Sequence, residues 1–462
     1  MKFNRIMIAA PKSGSGKTTI TCAFLQALKN KGQKVVSYKC GPDYIDPMFH
    51  EKVIGIPSKN LDTFFTGEEK TRELFLKNRT EADFAVLEGV MGLFDGLGGI
   101  REEGSSYHLA KVTKTPIILV VDVKGMGRSV LPLIAGFLAY DKEHLIRGVI
   151  LNRMSKAYYE IVKPLIEDEL KVSVLGYFPN QKKLQIESRY LGLVMPYELK
   201  DIKEQLQIIS DEFAKTVSVE AIRQLAESAE GLEDNFKKEK CSNFEGQVYK
   251  EDKPVIAVAK DEAFCFYYED NLLMLQESGA EIRYFSPLHD NKLPDDCNGL
   301  FIGGGYPELY LKELSSNNRM RESVKQAYDD GMPIVAECGG FMYLHSAIID
   351  KEGVSHAMAG VIPATCSNKG KLVRFGYIEI KEKRSSFLPE GEGIKGHEFH
   401  YYDSTYNGEN CLAIKPVTHR EYSCVIEGEN HWLGFPHLYY PSNPAFAKRF
   451  VKKAEEYRER IK

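Results

Sequence analysis

The sequence has no Cys-X-X-Cys pair and no long apolar run, and these absences exclude several classes of protein. Its nine cysteines are odd in number and scattered along the chain, a distribution that favours neither a disulfide framework nor a zinc ribbon. We therefore expect a reducing cytoplasmic environment. No stretch approaches the roughly 20 apolar residues of a membrane-spanning helix, and the apolar run at the N-terminus is too short for a signal peptide.

An excess of basic residues is also missing. The chain has 61 Lys and Arg against 65 Asp and Glu, which gives a formal net charge of −4 and argues against a nucleic-acid partner. Its hydrophobic content of 43% and charged content of 27% are typical of a globular protein. Because 462 residues are too many for one ordinary core, we expect two or three domains.

Strand and helix patterns alternate in the first half of the chain. Short β-rich runs are separated by amphipathic segments, an order that predicts a mainly parallel sheet with helices on both faces. The candidate strands of this half are Arg5–Ala10, Lys34–Tyr38, Phe84–Glu88, Pro116–Asp122 and Ile146–Asn152.

A polar stretch separates this half from a second α/β block. Residues 232–253 are highly charged and lose the apolar periodicity, which is typical of a linker. We therefore predict one domain over residues 1–231, a linker over 232–253 and a second domain over 254–462. The candidate strands of the second domain are Val255–Ala259, Ile282–Phe285, Gly299–Ile302 and Pro333–Ala336.

A glycine-rich stretch, AAPKSGSGKTTIT, lies between the first strand and a helical segment. At such a junction the backbone N–H groups and the helix N-terminus favour phosphate. Lys17 is expected to reach the β- and γ-phosphates of ATP, and the Thr18 hydroxyl is expected to bind Mg²⁺. Asn152 ends a later strand and is a candidate to read the edge of the base. The predicted ATP-binding residues are therefore Gly14, Ser15, Gly16, Lys17, Thr18, Thr19 and Asn152.

Acidic residues follow the next strands along the chain. Asp43 and Asp46 come after Lys34–Tyr38, and Glu88 ends an apolar run with Asp95 in the loop beyond it. The carboxyl ends of parallel strands form one ligand-binding edge, and Mg²⁺ binds one or two carboxylates together with phosphate oxygens. Each acid alone is typical of a turn or a helix cap, but the four together favour a site beside the phosphate loop.

The stretch VAECGGFMYL places Cys338 between a candidate strand and the apparently helical segment FMYLHSAIID. One interpretation is a buried core thiol. The other is a nucleophile on a strained strand-to-helix turn, with a pKa that the helix N-terminus lowers. In that second interpretation Gly339 and Gly340 permit the tight backbone and leave their N–H groups free.

Acyl transfer by a cysteine also needs donors for the oxyanion and a base. Further donors are expected from three glycines that follow another strand, Gly303, Gly304 and Gly305. The candidate bases are His397, His400 and His437, whereas His345 is excluded because it lies one or two turns down the same predicted helix. Spacing alone does not choose among the three histidines.

These motifs together resemble a known family. A glycine-rich loop, a Cys-Gly-Gly turn and a late histidine follow one another in class I glutamine amidotransferase domains. The stretches GPDYIDPMFH, EGVMGLFDG, ESRYLGLVMPYE, KDEAFCFYYEDNLLML, GGGYPELY and AECGGFMYL resemble the cobyrinate a,c-diamide synthase family over nearly the whole chain. The tail PHLYYPSNP is similar to the final histidine loop of the amidotransferases, which makes His437 the expected base.

The resemblance implies both a fold and a reaction. The fold is a P-loop NTPase-like, dethiobiotin synthetase-like, doubly wound parallel sheet followed by a class I amidotransferase α/β domain. The reaction is the ATP- and glutamine-dependent amidation of the a and c carboxylates of cobyrinate, a corrin polycarboxylate, in cobalamin biosynthesis. Ammonia released from glutamine displaces phosphate from an acyl phosphate, and an enclosed path for the ammonia is a hypothesis that follows from the fusion of the two halves.

The resemblance also assigns roles to residues. Cys338 attacks glutamine, His437 moves protons, and the glycine loop with Gly339 binds the oxyanion. The expected Mg²⁺ ligands are Thr18, Asp46 and Glu88. The residues that align with family positions near the transferring phosphoryl group are Asp43, Tyr44 and Asp95.

Two positions depart from the pattern of relatives. Tyr439 lies two residues after His437, where most class I domains have a glutamate, so Cys338 and His437 are expected to act as a dyad. Tyr190 replaces a histidine in SRYLGLV.

Other functions stay open at this point. The same diamidation of nickel sirohydrochlorin in the coenzyme F430 pathway, or of hydrogenobyrinate, fits the motifs equally well, because these motifs bind ATP and glutamine rather than the macrocycle. Lys12 stands where dimerising members of the P-loop class carry a second lysine, which suggests a partitioning-type ATPase switch and leaves a homodimer open. That switch does not explain the Cys-Gly-Gly turn or the late histidine.

Overall fold

The computed structural model describes residues 3–79, 82–181, 202–232 and 253–462. The chain divides into two compact units, Met1–Ser242 and Asn243–Lys462. The predicted linker, apart from its end residues, and the stretch ESRYLGLVMPYE with Tyr190 lie outside the described residues. The predicted domain limits therefore stay predictions.

A seven-stranded parallel sheet forms the centre of the first unit. Its strands are β1 (Asn4–Ala9), β2 (Val35–Cys40), β3 (Ser58–Leu61), β4 (Phe84–Glu88), β5 (Ile117–Asp122), β6 (Ile146–Asn152) and β7 (Ser173–Phe178). They are ordered β3-β2-β4-β1-β5-β6-β7, and each neighbouring pair is parallel. Most of their residues are buried, as expected for strands covered on both faces.

In the part of the first unit that the structure describes, eight α-helices connect these strands or follow them. They are α1 (Lys17–Asn30), α2 (Ile45–Phe49), α3 (Thr63–Lys77), α4 (Ser106–Val112), α5 (Val130–Tyr140), α6 (Lys156–Leu170), α7 (Ile202–Thr216) and α8 (Val219–Glu227). Asp62 caps α3 by accepting the N–H groups of Phe64 and Phe65. Among the described residues, no side chain caps the N-terminus of α1, as is also the case for α2, α5 and α6.

The second unit contains a six-stranded sheet. Its strands are β8 (Val255–Ala259), β10 (Glu281–Phe285), β11 (Gly299–Ile302), β13 (Ile334–Glu337), β22 (Ile426–Glu427) and β23 (His431–Gly434). They are ordered β10-β8-β11-β13-β23-β22, and only the pair β22–β23 is antiparallel. The helices described in this unit are α9 (Glu269–Glu277), α10 (Leu311–Ser316), α11 (Asn318–Asp329), α12 (Gly339–Tyr343) and α13 (Ala445–Ile461).

Three smaller sheets complete the second unit. One pairs β9 (Phe264–Phe266) with β12 (Gly304–Gly305). Another contains β14 (His345–Ile349), β15 (Ser355–Ala357), β16 (Ile362–Asn368) and β19 (Tyr402–Ser404). The largest of the three has the order β21-β20-β17-β18-β24, with β17 (Arg374–Glu382), β18 (Gly393–His400), β20 (Cys411–Ile414), β21 (Glu421–Cys424) and β24 (His437–Leu438).

The predicted helix over FMYLHSAIID is wrong. The helix ends at Tyr343, and His345 begins β14, which pairs with β15 and β16. The His345 ring is buried, with Nδ1 2.7 Å from the Phe341 carbonyl and Nε2 2.7 Å from the Ser404 hydroxyl. The exclusion of His345 as a base therefore depends on these two contacts and not on its place in a helix.

Within the described residues, no helix has the length and apolar character needed to span a membrane.

Candidate active sites

The phosphate loop of the first unit lies between β1 and α1. Gly16 immediately precedes α1 with φ 90°, a left-handed conformation that favours glycine. A Cβ on Gly16 would also lie 2.2 Å from Asn152 Nδ2, so a larger residue does not fit. The Asn152 amide donates to the Ser15 carbonyl at 2.8 Å, and it therefore supports the loop in this structure rather than pointing to a base.

Lys17 begins α1, and its side chain is buried under the loop. Its ammonium donates to the carbonyls of Met91 and Lys12. Burial and the nearby Lys39 lower the pKa of Lys17 from 10.5 to about 8. Among the described residues, no carboxylate forms an ion pair with this ammonium, an arrangement that favours binding of an anion beside it.

A buried cluster of charges lies beside the loop at the ends of β2 and β4. Glu88 Oε1 accepts the Thr18 hydroxyl at 2.6 Å and the Lys39 ammonium at 3.0 Å. Lys39 also forms an ion pair with Asp46, and His50 Nε2 lies 3.3 Å from Glu88 Oε2. The structure therefore brings together three of the predicted residues, Thr18, Asp46 and Glu88.

Opposite charges determine the protonation of Glu88 and Lys39, whereas burial, with Asp43 and Glu88 nearby, raises the pKa of Asp46. Burial alone raises the pKa of Glu88, but Lys39 and His50 outweigh it and hold the pKa well below its usual range. Burial alone lowers the pKa of Lys39, but Asp46 and Glu88 raise it above its ordinary value. Glu88 is consequently an anion and Lys39 a cation at neutral pH.

The other predicted residues of this half have local contacts. Asp43 accepts the N–H groups of Ile45 and Asp46, at 2.8 and 3.3 Å, where α2 begins. Asp95 accepts the Gly92 N–H at 2.9 Å. Tyr44 is buried, Thr19 lies half-buried in the first turn of α1, and Ser15 donates its hydroxyl to the loop carbonyl of Lys12.

Cys338 of the second unit lies on a sharp turn between β13 and α12. Its φ of 47° and ψ of −103° place a non-glycine residue in a strained backbone conformation. Two backbone hydrogen bonds of 2.9 Å hold the turn, from Cys338 N–H to the Gly434 carbonyl and from Met342 N–H to the Cys338 carbonyl. Strain of this kind is common where a side chain must be held in one reactive position.

The predicted lowering of the Cys338 pKa is wrong. Burial raises the pKa of the thiol well above its ordinary value, and the carboxylates of Glu308 and Glu398 raise it further, whereas the Gly339 N–H opposes this rise. The side chain is 7% exposed, and α12 has only five residues, so its N-terminus does not offset the burial. A thiolate at this position therefore needs a base.

The glycine loop lies against the cysteine turn. Two N–H groups that the sequence predicts to be available to an oxyanion donate to acceptors within the protein instead. Gly303 N–H donates to the Tyr267 hydroxyl at 2.8 Å, and Gly340 N–H donates to the Gly303 carbonyl at 3.0 Å. Neither N–H is free for an oxyanion, which corrects the predicted role of Gly303 and the predicted free N–H of Gly340. Gly304 and Gly305 form β12 against β9.

His437 lies in β24, directly against the glycine loop. A Cβ on Gly304 would lie 2.3 Å from His437 Cε1, so only glycine leaves room for the ring. Burial, followed by the nearby His400, lowers the pKa of His437 to about 3. The ring is therefore neutral at pH 7.

The two other candidate histidines lie next to His437 on β18. His397 stacks on the His437 ring with 4.9 Å between centroids, and its Nδ1 lies 3.1 Å from the Tyr268 hydroxyl. His400 stacks on Phe435 and its Nδ1 lies 2.6 Å from the Tyr402 carbonyl. Of the three rings, His437 supplies the atoms that lie nearest to a Cβ placed on Gly304.

Comparison with known proteins identifies both units. Residues 6–193 match the CobQ/CobB/MinD/ParA nucleotide binding domain, and residues 255–437 match the CobB/CobQ-like glutamine amidotransferase domain. The cobyrinate a,c-diamide synthase of Caldanaerobacter subterraneus subsp. tengcongensis is 40% identical over 98% of each chain. Those of Listeria innocua and Thermoplasma volcanium are 38% identical and cover 96% and 99% of this chain and 98% of each relative.

The chain belongs to the cobyrinate a,c-diamide synthase family. This confirms the predicted family and the predicted fold class, an α/β P-loop unit followed by a glutamine amidotransferase unit. In this member of the cobyrinate a,c-diamide synthase family, the Tyr439 hydroxyl donates to Asp270 Oδ2 at 2.8 Å.

Sequence reasoning missed four residues that the structure places at the two sites. Lys39 and His50 contact Glu88 in the first unit. In the second unit, Glu337 lies beside His437, and Glu308 lies close enough to raise the Cys338 pKa. Burial raises the pKa of Glu308 itself to about 7. His50, Glu308 and Glu337 lie inside the quoted stretches GPDYIDPMFH, GGGYPELY and VAECGGFMYL, and Lys39 lies just before the first of these.

Proposed function

We propose that this protein is a cobyrinate a,c-diamide synthase that uses ATP and glutamine. It converts the a and c side-chain carboxylates of cobyrinate into amides in cobalamin biosynthesis, and it does so in the cytoplasm. The observation that carries the proposal is the strained turn that presents Cys338, in a chain that also has a phosphate loop with a buried lysine. Family membership makes the chain a ligase with a glutamine amidotransferase unit.

The second unit supplies ammonia in this proposal. His437, neutral because burial lowers its pKa to about 3, takes the proton of the Cys338 thiol, and the thiolate attacks the glutamine carboxamide. The proton passes to the departing nitrogen, and water then releases glutamate from the thioester. Gly339, Gly304 and Gly305 remain the candidates for binding glutamine and its oxyanion.

The first unit activates the carboxylate that receives the ammonia. A free carboxylate is unreactive toward amines, so the γ-phosphoryl group of ATP is transferred to it and an acyl phosphate forms. Lys17 and the uncapped N-terminus of α1 neutralise charge on the phosphates. Ammonia then displaces phosphate and leaves the amide. Asp43, Tyr44 and Asp95 are proposed to position the reacting groups, and Asn152 is proposed to act through the loop.

The oxygen atoms of Thr18 and Glu88 fit a Mg²⁺ ion. They lie 2.6 Å apart, close to the about 2.9 Å that separates neighbouring ligands in an octahedron with bonds of about 2.0–2.1 Å. Glu88 and Asp46 both pair with Lys39, but Glu88 is the one that also accepts the Thr18 hydroxyl. We therefore propose Thr18 and Glu88 as the protein ligands, with Asp46 beside them. When bound, Mg²⁺ supplies neutralisation of phosphate charge.

Two measurements test the proposed function. Cobyrinate, nickel sirohydrochlorin and hydrogenobyrinate are each incubated with MgATP and glutamine, and amide groups are counted by mass spectrometry. We expect two amides on cobyrinate, and two amides on another macrocycle alone would contradict the substrate. The second measurement compares Cys338→Ala with Cys297→Ala, a buried cysteine of the same core.

The cysteine variants separate the two half-reactions. Cys338→Ala is expected to lose glutamine-dependent amidation and to keep amidation supported by ammonium, whereas Cys297→Ala keeps both. Glutamine use that survives in Cys338→Ala would refute the assigned nucleophile. ATP hydrolysis without any glutaminase activity in the unaltered protein would favour the partitioning-type switch instead.

A further inference from the structure

Met91 is an exposed apolar residue beside the phosphate loop that the proposed reaction does not yet use. It lies in the loop that follows β4, and its side chain is 43% exposed. Its backbone has φ 49°, a left-handed conformation that is strained for any residue other than glycine. A single exposed apolar side chain is common at a protein surface, but strain of this kind persists where the surrounding structure holds a functional residue in place.

The residues on both sides of Met91 fix its backbone. On one side, the Val90 N–H donates to the Ser106 hydroxyl at 2.8 Å. On the other side, the Leu93 N–H donates at 2.8 Å to the carbonyl of Ala10, which lies at the start of the phosphate loop. The turn at Met91 is therefore a built part of this edge of the sheet, and it leaves the thioether side chain at the surface.

A direct contact places Met91 at the chemistry of the first unit. Its carbonyl accepts the Lys17 ammonium, which the proposed reaction assigns to the phosphates of ATP. For phosphoryl transfer, a carboxylate oxygen of the substrate must come to about 3–3.5 Å from the phosphorus atom that it attacks. The side chain of Met91 therefore begins next to the position where the substrate carboxylate must arrive.

Two cations on adjoining loops suit a polyanionic substrate. Arg101, on the same loop, and Lys12, on the phosphate loop, are exposed, and neither forms an ion pair with another described residue. Glu102, next to Arg101 in the sequence, lies 3.7 Å from the Lys111 ammonium, which compensates part of its charge. An apolar contact with such cations on adjoining loops matches a large ring that carries several carboxylates.

We propose that Met91 is a contact residue for the ring of the macrocycle. The apolar part of cobyrinate packs on the thioether side chain while one of its carboxylates reaches the phosphoryl group beside Lys17, and Arg101 and Lys12 are available to carboxylates that are not reacting. This inference rests on the proposed function and adds to it the residue that binds the ring. An unbranched methionine adapts to different shapes, which suits a surface that must hold one ring in two positions, one for each carboxylate that is amidated.

The decisive variant is Met91→Gly, which removes the side chain and suits the left-handed backbone. The dissociation constant of cobyrinate is measured by titration calorimetry with Mg²⁺ and a non-hydrolysable ATP analogue. We expect it to rise by about 10-fold or more in Met91→Gly, because the apolar contact is lost, and to stay within about threefold in Met91→Leu, which keeps an apolar side chain. The matched control is Ile161→Ala on α6, where the isoleucine is 62% exposed and no change is expected.

Three readouts separate this role from a structural one. In Met91→Gly, relief of strain and the added freedom of the unfolded chain oppose each other, so the midpoint of thermal unfolding is expected to change by less than about 2 °C. The dissociation constant of the ATP analogue and kcat for glutamine hydrolysis are both expected to stay within threefold of the unaltered protein.

Several results would overturn the inference. Equal affinity for cobyrinate in Met91→Gly and the unaltered protein would do so, as would a loss in Met91→Leu as large as that in Met91→Gly. A change of oligomeric state in Met91→Gly, measured by light scattering, would assign this surface to a second copy of the chain instead. An unaltered protein that binds no cobyrinate would overturn the proposed function itself.

Discussion

Replacing Lys17 with methionine is expected to abolish ATP use and at the same time to stabilise the first unit. Burial and Lys39 lower the Lys17 pKa from 10.5 to about 8, so the folded state disfavours the ammonium. A lowering of this size corresponds to about 3 kcal/mol of unfolding free energy, at about 1.4 kcal/mol per pKa unit. The variant also loses the hydrogen bonds from Lys17 to two carbonyls, so the expected net gain in the free energy of unfolding is about 1–3 kcal/mol.

The dependence on pH separates this explanation from a general packing effect. Between about pH 8 and 10.5 the unfolded chain binds more protons at Lys17 than the folded chain does, so the contribution of Lys17 to stability rises with pH in that window. The extra stability of Lys17→Met over the unaltered protein is therefore complete below about pH 8 and disappears as the pH approaches 10.5.

Scanning calorimetry from pH 6.5 to 10.5 measures this difference. The transition of the first unit is identified as the one whose midpoint ATP shifts in the unaltered protein. At about 2–4 °C per kcal/mol, Lys17→Met is expected to raise the midpoint of this transition by at least about 2 °C at pH 7. Lys124→Met, at an exposed position of the same unit, controls for the replacement of a lysine. A lower midpoint at pH 7, or a difference that does not change with pH, would refute the reasoning.

Two further predictions concern the second unit. Gly304→Ala places a methyl group 2.3 Å from the His437 ring, so we expect glutaminase kcat to fall by about 100-fold. The control Gly136→Ala, whose methyl group meets no atom within 4 Å, is expected to leave kcat unchanged. Equal kcat values in the two variants would contradict the contact. Tyr439→Phe removes the hydrogen bond to Asp270 and is expected to lower the free energy of unfolding in urea by about 1.5–3 kcal/mol. Its kcat for glutamine is expected to stay within threefold of the unaltered enzyme. A large loss of kcat would indicate that Tyr439 takes part in catalysis.

Strands that are buried on both faces were predictable because they are short continuous apolar runs. The limits of Phe84–Glu88, Ile146–Asn152 and Val255–Ala259 agree with β4, β6 and β8, and Pro333–Ala336 differs from β13 by one residue at each end. The short strands after Cys338 were not predicted, because tertiary pairing determines them. FMYLHSAIID shows this: its apolar spacing suits a helix, yet pairing with two neighbouring strands turns its second half into β14.

Site residues that belong to a sequence motif were predictable, whereas site residues that only tertiary packing brings together were not. The phosphate loop and Cys338 stand out because glycines must lie at fixed offsets from the reactive residue. Spacing did not choose among the three late histidines, and the structure explains why, since His397 and His437 stack on each other in adjacent strands. Lys39 was missed because a lysine inside a strand has no periodic signal until its carboxylate partners are seen.

Because no described side chain caps the start of α1, a bound nucleotide contributes hydrogen-bond acceptors to the end of this helix. In the described part of the first unit, α3 and α4 complete their first turn with a side chain of the protein, whereas α1, like α2, α5 and α6, does not. A phosphate bound there serves as the final hydrogen-bonding partner of the secondary structure. In the proposed reaction, bound ATP supplies the hydrogen-bond acceptors of this helix end, and release of ADP and phosphate exposes its N–H groups again.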